Sequence, residues 1–236
     1  MPKLRRTHYV AGGLCIAAFI AAQSFQELAY RFWIPAGRTP QDELMVYLLP
    51  IDQARALAIM GTIVLLLVPF AVIALRYRET APLASTLGLI FGVAFVGFET
   101  IHRSMDFFVV GHIWAHQFAQ AASGPERDAI LLRYAHWNEI LKGWFFPQLL
   151  SYLLASCAFA VATWQDVRRA RWYYLAPIAY ALNALRLLGR MLSNYAGLAW
   201  LNGLNENLYF PTVFTINLLL VIWFFHLASN ELNDHP

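Results

Sequence analysis

The amino-acid sequence predicts an all-α, polytopic membrane helix bundle of six transmembrane helices, and three observations predict it. Of 236 residues, 59% are hydrophobic and only 13% charged, about half the charged share of a soluble domain. Six apolar segments, approximately 8–29, 53–75, 82–110, 138–163, 173–196 and 209–229, reach the roughly 20 residues that a bilayer-crossing helix needs. The mean hydropathy is +0.50, and no linker, repeat or low-complexity run divides the chain, so residues 1–236 read as a single integral membrane domain. The net charge of +3 is small and split between loops, which argues against a nucleic-acid partner. Cys15 and Cys157 fall inside apolar segments, where a lone cysteine acts as a small hydrophobe, and neither has metal-ligand spacing.

Orientation follows from Lys and Arg. With the N-terminus inside, the short inner segments hold Lys3, Arg5, Arg6, Arg76, Arg78, Arg168, Arg169 and Arg171. The longer outer segments hold Arg31, Arg38, Arg55, Arg127, Arg133 and Lys142 against eight acids. The positive-inside rule then predicts a multi-pass protein of the inner (plasma) membrane with both termini cytoplasmic. Trp and Tyr mark the interfaces: Trp164, Trp172, Tyr173 and Tyr174 inside, and Trp33, Trp114, Trp137, Trp144 and Trp200 outside.

Taken in order, helix 1 begins basic and lacks a small-residue cleavage site before Gln23, so it reads as a retained helix. Its outer end carries Gln23, Gln26 and Glu27 on one face. Thr39-Pro40-Gln41-Asp42 signals a helix start with proline in its first turn, predicting a short surface helix over 40–49. Asp52 is a candidate N-cap for helix 2, which otherwise reads as apolar filler. Helix 3 is different. Glu99, His102, Arg103 and Asp106 sit at offsets 0, 3, 4 and 7, which places all four on one helical face. Ionisable groups there cost several kcal/mol unless they face a bundle interior, a partner or water, so this face should look inward.

Ser123-Gly124-Pro125-Glu126 has capping-box spacing, and between 110 and 121 nothing but Gly111 would break the preceding helix. Helices 3 and 4 should therefore extend beyond the bilayer as an outer antiparallel hairpin, turning near 122–124, with Pro147 as a kink in the second arm. That register sets Asp106 opposite Asn138 and Glu139, His102 at the level of Lys142, and His116 near Asp128. Helix 5 carries Asn183, Arg186, Arg190 and Asn194 on one stripe. At 1.5 Å per residue Arg186 lies about 20 Å from the inner end, in the outer half.

Four helices thus carry polar faces in the outer half, and the inner half reads as dry. This predicts a charge-paired pocket that binds, or binds and processes, a small polar or anionic ligand or a lipid headgroup. Its expected lining is Gln23, Glu27, Glu99, His102, Arg103, Asp106, Lys142, Arg186, Arg190 and Asn194. Glu99, His102 and Asp106 are the candidate catalytic groups. Buried Glu–Arg pairs and asparagines also tie membrane helices together without any ligand, but four converging polar faces exceed what packing requires. Arg186 and Arg190 present guanidinium forks suited to carboxylate or phosphate, unless Glu99–Arg186 or Asp106–Arg190 pairs satisfy them.

A second class of function is a metal-dependent membrane oxidase or hydrolase acting on a lipid. Glu99-x-x-His102 has the E-x-x-H spacing of di-iron carboxylate bundles, and His136-x-x-Glu139 offers a matching pair on the antiparallel arm. With Asp106 these residues would hold zinc or iron, although Arg103 beside them repels a cation. His112 and His116 have chelating i, i+4 spacing, but Ile113 stands where the metalloprotease motif places Glu. No G-x-S-x-G, P-loop or inverted-repeat pattern is present. A third class is an accessory subunit docking through the outer hairpin.

The basic start before THYVAGGLCIAAFI, the turn FVGFETIHRSMDFF and the stretch VRRARWYYLAPIAYALNALRLL resemble a broad group of uncharacterised bacterial six-span integral membrane proteins. The resemblance implies the six-span fold and carries no catalytic assignment.

Overall fold

A computed structural model describes residues 4–37, 39–167, 171–198 and 200–233. Lys3, Arg38, Arg168 and Arg169, which enter the charge bias above, lie outside the described residues. The described residues form helices only: α1 (Arg6–Phe32), α2 (Pro40–Val46), α3 (Pro50–Leu65), α4 (Leu67–Tyr77), α5 (Pro82–Ser104), a π-helix (Met105–Ala115), α6 (His116–Gln120), α7 (Gly124–Trp164), a 3₁₀ turn (Arg171–Tyr174), α8 (Leu175–Tyr195) and α9 (Leu201–Asn233). Among them five are long and apolar enough to cross a membrane: Arg6–Phe32, Pro50–Tyr77, Pro82–Gln120, Gly124–Trp164 and Glu206–Asn230. Helix α8 has 21 residues but is less apolar, because Asn183, Arg186, Arg190 and Asn194 lie along it.

The helices form a closed ring in chain order. α1 packs on α3 and α4, these on α5, α5 on α7, α7 on α8, α8 on α9, and α9 returns to α1. Small residues set the closest approaches. A Cβ at Gly88 would lie 2.6 Å from the Phe159 ring, and one at Gly12 would lie 2.5 Å from the Phe224 ring, so α5–α7 and α1–α9 pack backbone against aromatic face. Phe159, Trp223, Phe224, Tyr77 and Ile73 fill the centre of the ring.

Local signals place several helix starts. Thr39 Oγ1 accepts from the Asp42 amide at 3.2 Å, and Asp42 Oδ2 accepts from the Thr39 amide at 3.1 Å, a reciprocal cap. Its helix stops at Val46, shorter than expected. Ser123 Oγ accepts from the Glu126 amide at 3.4 Å and starts α7, which runs 41 residues through Pro147. Ser151 Oγ donates to Pro147 O at 2.7 Å. The last helix begins at Leu201, well before 209, because the polar residues ahead of 209 continue the same helix instead of forming a loop.

Two expectations need correction. Asp52 does not cap α3; Leu49 holds the N-cap position. The half expected to be inner is not dry. Asp166 is 5% exposed and accepts from Arg76 Nη2 at 2.8 Å, Arg76 Nε at 3.2 Å and Tyr77 OH at 2.8 Å. Arg76 Nη1 also donates to Tyr9 OH at 2.9 Å. This cluster ties α1, α4 and the end of α7 together.

Candidate functional site

The helix 3 face points inward as its spacing requires: Glu99 is 6% and His102 3% exposed. Glu99 accepts from Arg103 Nε at 2.8 Å, one turn along α5, and from Gln148 Nε2 across the α5–α7 interface. Asp106 accepts from His102 Nε2 at 3.1 Å and from Trp137 Nε1 at 2.9 Å. The His102 ring stands edge-on to Phe145. Its Nδ1 is buried without a hydrogen-bond partner. Asp106 meets Trp137 and not Asn138 and Glu139 as expected, and His102 meets Phe145 and not Lys142.

Several charged residues near this face pair within their own helix. Arg55 Nη2 bonds Asp52 Oδ1 at 2.7 Å within α3, and Arg55 Nη1 donates to Gln26 Oε1 on α1 at 3.1 Å. Its guanidinium also lies 4.7 Å from the Tyr30 ring centroid. Lys142 pairs with Glu139 at 2.7 Å, both on the exposed side of α7. Neither Glu99–Arg186 nor Asp106–Arg190 pairs; the i, i+4 partner on the same helix wins for Glu99 because it needs no particular interhelical rotation.

Arg186 and Arg190 are left with a different shell. Asn183, 3% exposed, donates to Ser156 Oγ at 2.8 Å and accepts from Arg186 Nη2 at 3.0 Å and Nε at 3.2 Å. The Tyr209 ring on α9 lies 5.7 Å from the Arg186 guanidinium and 5.9 Å from that of Arg190. Tyr209 is also within electrostatic range of Arg103. Among the described residues no carboxylate pairs with Arg186 or Arg190. Of the remaining expected lining, Gln23 is buried on α1 and Glu27 half-buried, whereas Asn194 is exposed.

The expected metal ligands do not assemble. Among the described residues no group of three His, Cys, Asp or Glu side chains could hold a metal ion. Glu99 and His102 are engaged as above, and His136 and Glu139 are exposed on α7. His112 and His116 turn their Nδ1 atoms onto the carbonyls of Phe107 and Gly111, at 2.9 and 3.3 Å, five residues back along the π-helix.

A cavity of about 70 Å³ lies beside this face, lined by Tyr30, Tyr47, Asp52, Gln53, Arg55, Ala56, Arg103, Asp106, Phe107, Gly111 and His112. Burial, and then the Asp106 charge, pushes the Tyr47 phenol well above its ordinary value, so it stays neutral as a hydrogen-bonding group. Inspection of sequence missed Asp52, Arg55, Tyr47, Gln148, Trp137 and Tyr209 as site residues. Only the i, i+3 spacing of Asp52 and Arg55 carried a signal. No family model, curated protein or solved structure matches the chain.

Proposed function

We propose that this protein binds a small anion, either free or as a lipid headgroup, in the outer half of a six-span bundle. Arg186 and Arg190 are its principal ligands. The observation that carries the proposal is the asymmetry of charge pairing. Glu99, Asp52 and Glu139 each hold a cation other than these two, while among the described residues Arg186 and Arg190 meet no carboxylate and have Asn183, Tyr152 and Tyr209 as neighbours. Two guanidinium forks one turn apart without carboxylates suit phosphate or carboxylate in bidentate geometry. Asn183, anchored on Ser156, orients the Arg186 fork from behind, which reduces the side-chain entropy lost on binding.

In this proposal α8 is the sixth span despite its arginines, since their ligand or the ring interior satisfies them. The α5–α7 turn projects outward as the hairpin, and both termini are cytoplasmic, in keeping with the resemblance to six-span bacterial proteins. Arg76 contributes less to that orientation than a free charge would, being paired with Asp166 at 2.8 Å.

The test is thermal unfolding of detergent-purified protein titrated with inorganic phosphate, alongside lipid nanodiscs containing phosphatidylglycerol or only phosphatidylcholine. Phosphate or the anionic lipid should raise Tm in the wild type, and Arg186→Gln should remove the rise. An equal rise in wild type and variant would overturn the assignment; the two arms separate a free anion from a lipid headgroup.

A further inference from the structure

We propose that the anion held by Arg186 and Arg190 is a dianion, the terminal phosphate of a phosphomonoester, and not a phosphodiester or a carboxylate. The inference rests on the anion-binding reading of these two arginines and names the class of ligand they take. Four residues apart on α8, their side chains are neighbours on one face of the helix. Both guanidinium groups lie beside the same Tyr209 ring, at 5.7 and 5.9 Å from its centroid. Arg186 therefore feels the Arg190 charge, and a guanidinium does not give up its proton in a protein. Two like charges this close inside a helix bundle are costly unless an anion or water meets them.

The shell around them supplies no opposing charge. Asn183 directs its side-chain oxygen to Arg186 Nη2 and Nε, at 3.0 and 3.2 Å, and its amide to Ser156 Oγ at 2.8 Å. Tyr152, stacked on Phe95 with centroids 4.0 Å apart, is the other neighbour of Arg186. Glu99 is already held by Arg103 at 2.8 Å. Glu206, three residues before Tyr209 on α9, is exposed and forms no ion pair among the described residues. The site thus carries two positive charges. A carboxylate or phosphodiester neutralises one of them. A phosphomonoester, whose second ionisation falls at about pH 6, neutralises both at pH 8. It also offers three acceptor oxygens to the two guanidinium forks, where a carboxylate offers two.

Isothermal titration of the detergent-purified full chain at pH 8 compares methyl phosphate, a dianionic monoester, with dimethyl phosphate, a monoanionic diester of nearly the same size. Methyl phosphate should bind at least about tenfold tighter, because its second negative charge meets a second guanidinium in a partly dry site. Arg190→Gln should bring the two affinities within about threefold of each other, whereas Arg190→Lys keeps the charge and should preserve the preference. The readout is the ratio of the two affinities in each protein, which a general loss of stability does not move. Equal affinities in the wild type, or an undiminished preference in Arg190→Gln, would overturn the dianion assignment and leave the anion site standing. Binding of neither ester would instead overturn the anion-binding reading itself. Nanodiscs holding phosphatidic acid, a monoester, or phosphatidylglycerol, a diester, at equal mole fraction separate the sources. A larger rise in Tm with phosphatidic acid assigns the phosphate to a lipid headgroup. No rise with either lipid, where methyl phosphate binds, assigns it to a soluble ester. An equal or larger rise with phosphatidylglycerol would overturn the assignment as well.

Discussion

Replacing Asp166 by alanine should be among the most damaging single changes in this chain. The carboxylate is buried just past the end of α7 and accepts three hydrogen bonds, two from Arg76 and one from Tyr77. The Arg76 side chain is only 15% exposed. Removing one member of a buried ion pair leaves the other charge uncompensated, at a cost of about 3–5 kcal/mol. At about 2–4 °C per kcal/mol for a protein of this size, Tm should fall by roughly 6–20 °C. The assay is thermal unfolding in detergent, followed by loss of monodisperse protein. The triple variant Arg76→Met, Tyr77→Phe, Asp166→Leu removes every group that the cluster satisfies, and should recover most of the loss. A fall under about 2 °C for Asp166→Ala would mean that water or lipid replaces the carboxylate. A triple variant no better than the single would show that the cluster matters by shape and not by charge. Either result would refute the reasoning.

Further outcomes follow from the same geometry. Gly88→Val sets a branched side chain against the Phe159 ring, where even a Cβ would lie at 2.6 Å; it should cost about 1–3 kcal/mol, read as a lowered Tm. Arg186→Gln should weaken phosphate binding at least tenfold while the variant elutes as the wild type does, whereas Lys142→Gln, on an exposed pair, should change neither. Elemental mass spectrometry of the purified protein should find less than 0.1 equivalent of iron or zinc per chain, an order-of-magnitude bound set by the lack of converging ligands; one equivalent lost on His102→Ala would revive the metal-enzyme hypothesis. Tyr47 has its pKa raised by folding, so its contribution is present below the phenol's ordinary value of about 10 and is lost as pH rises above it. Tyr47→Phe should therefore reduce the alkaline fall in Tm.

How much was legible in advance differs by element. The all-helical, membrane-like architecture, the inward face of Glu99 and His102, and the helix starts at Pro40 and Gly124 all follow from hydropathy, periodicity and caps, which act within a few residues. Sequence reasoning also placed Asn183, Arg186 and Arg190 on one stripe, and the structure keeps Asn183 and Arg186 in direct contact. These are local properties, set by 3.6-residue periodicity and by short-range hydrogen bonds.

What only the tertiary structure decided was which charge meets which. Asp166 and Arg76 are 90 residues apart and meet because α4 and α7 end at the same level, a fact of packing that no periodicity encodes. Arg186 and Arg190 lack their expected carboxylates because Glu99 has a nearer partner one turn away and Asp106 meets Trp137. The π-helix, which reorients His112 and His116 onto backbone carbonyls, had no sequence signal at all. Rotation of each helix about its axis is set by the fit of its neighbours, through contacts such as Gly88 against Phe159. That fit turns a row of polar residues into either a closed pair or an open site.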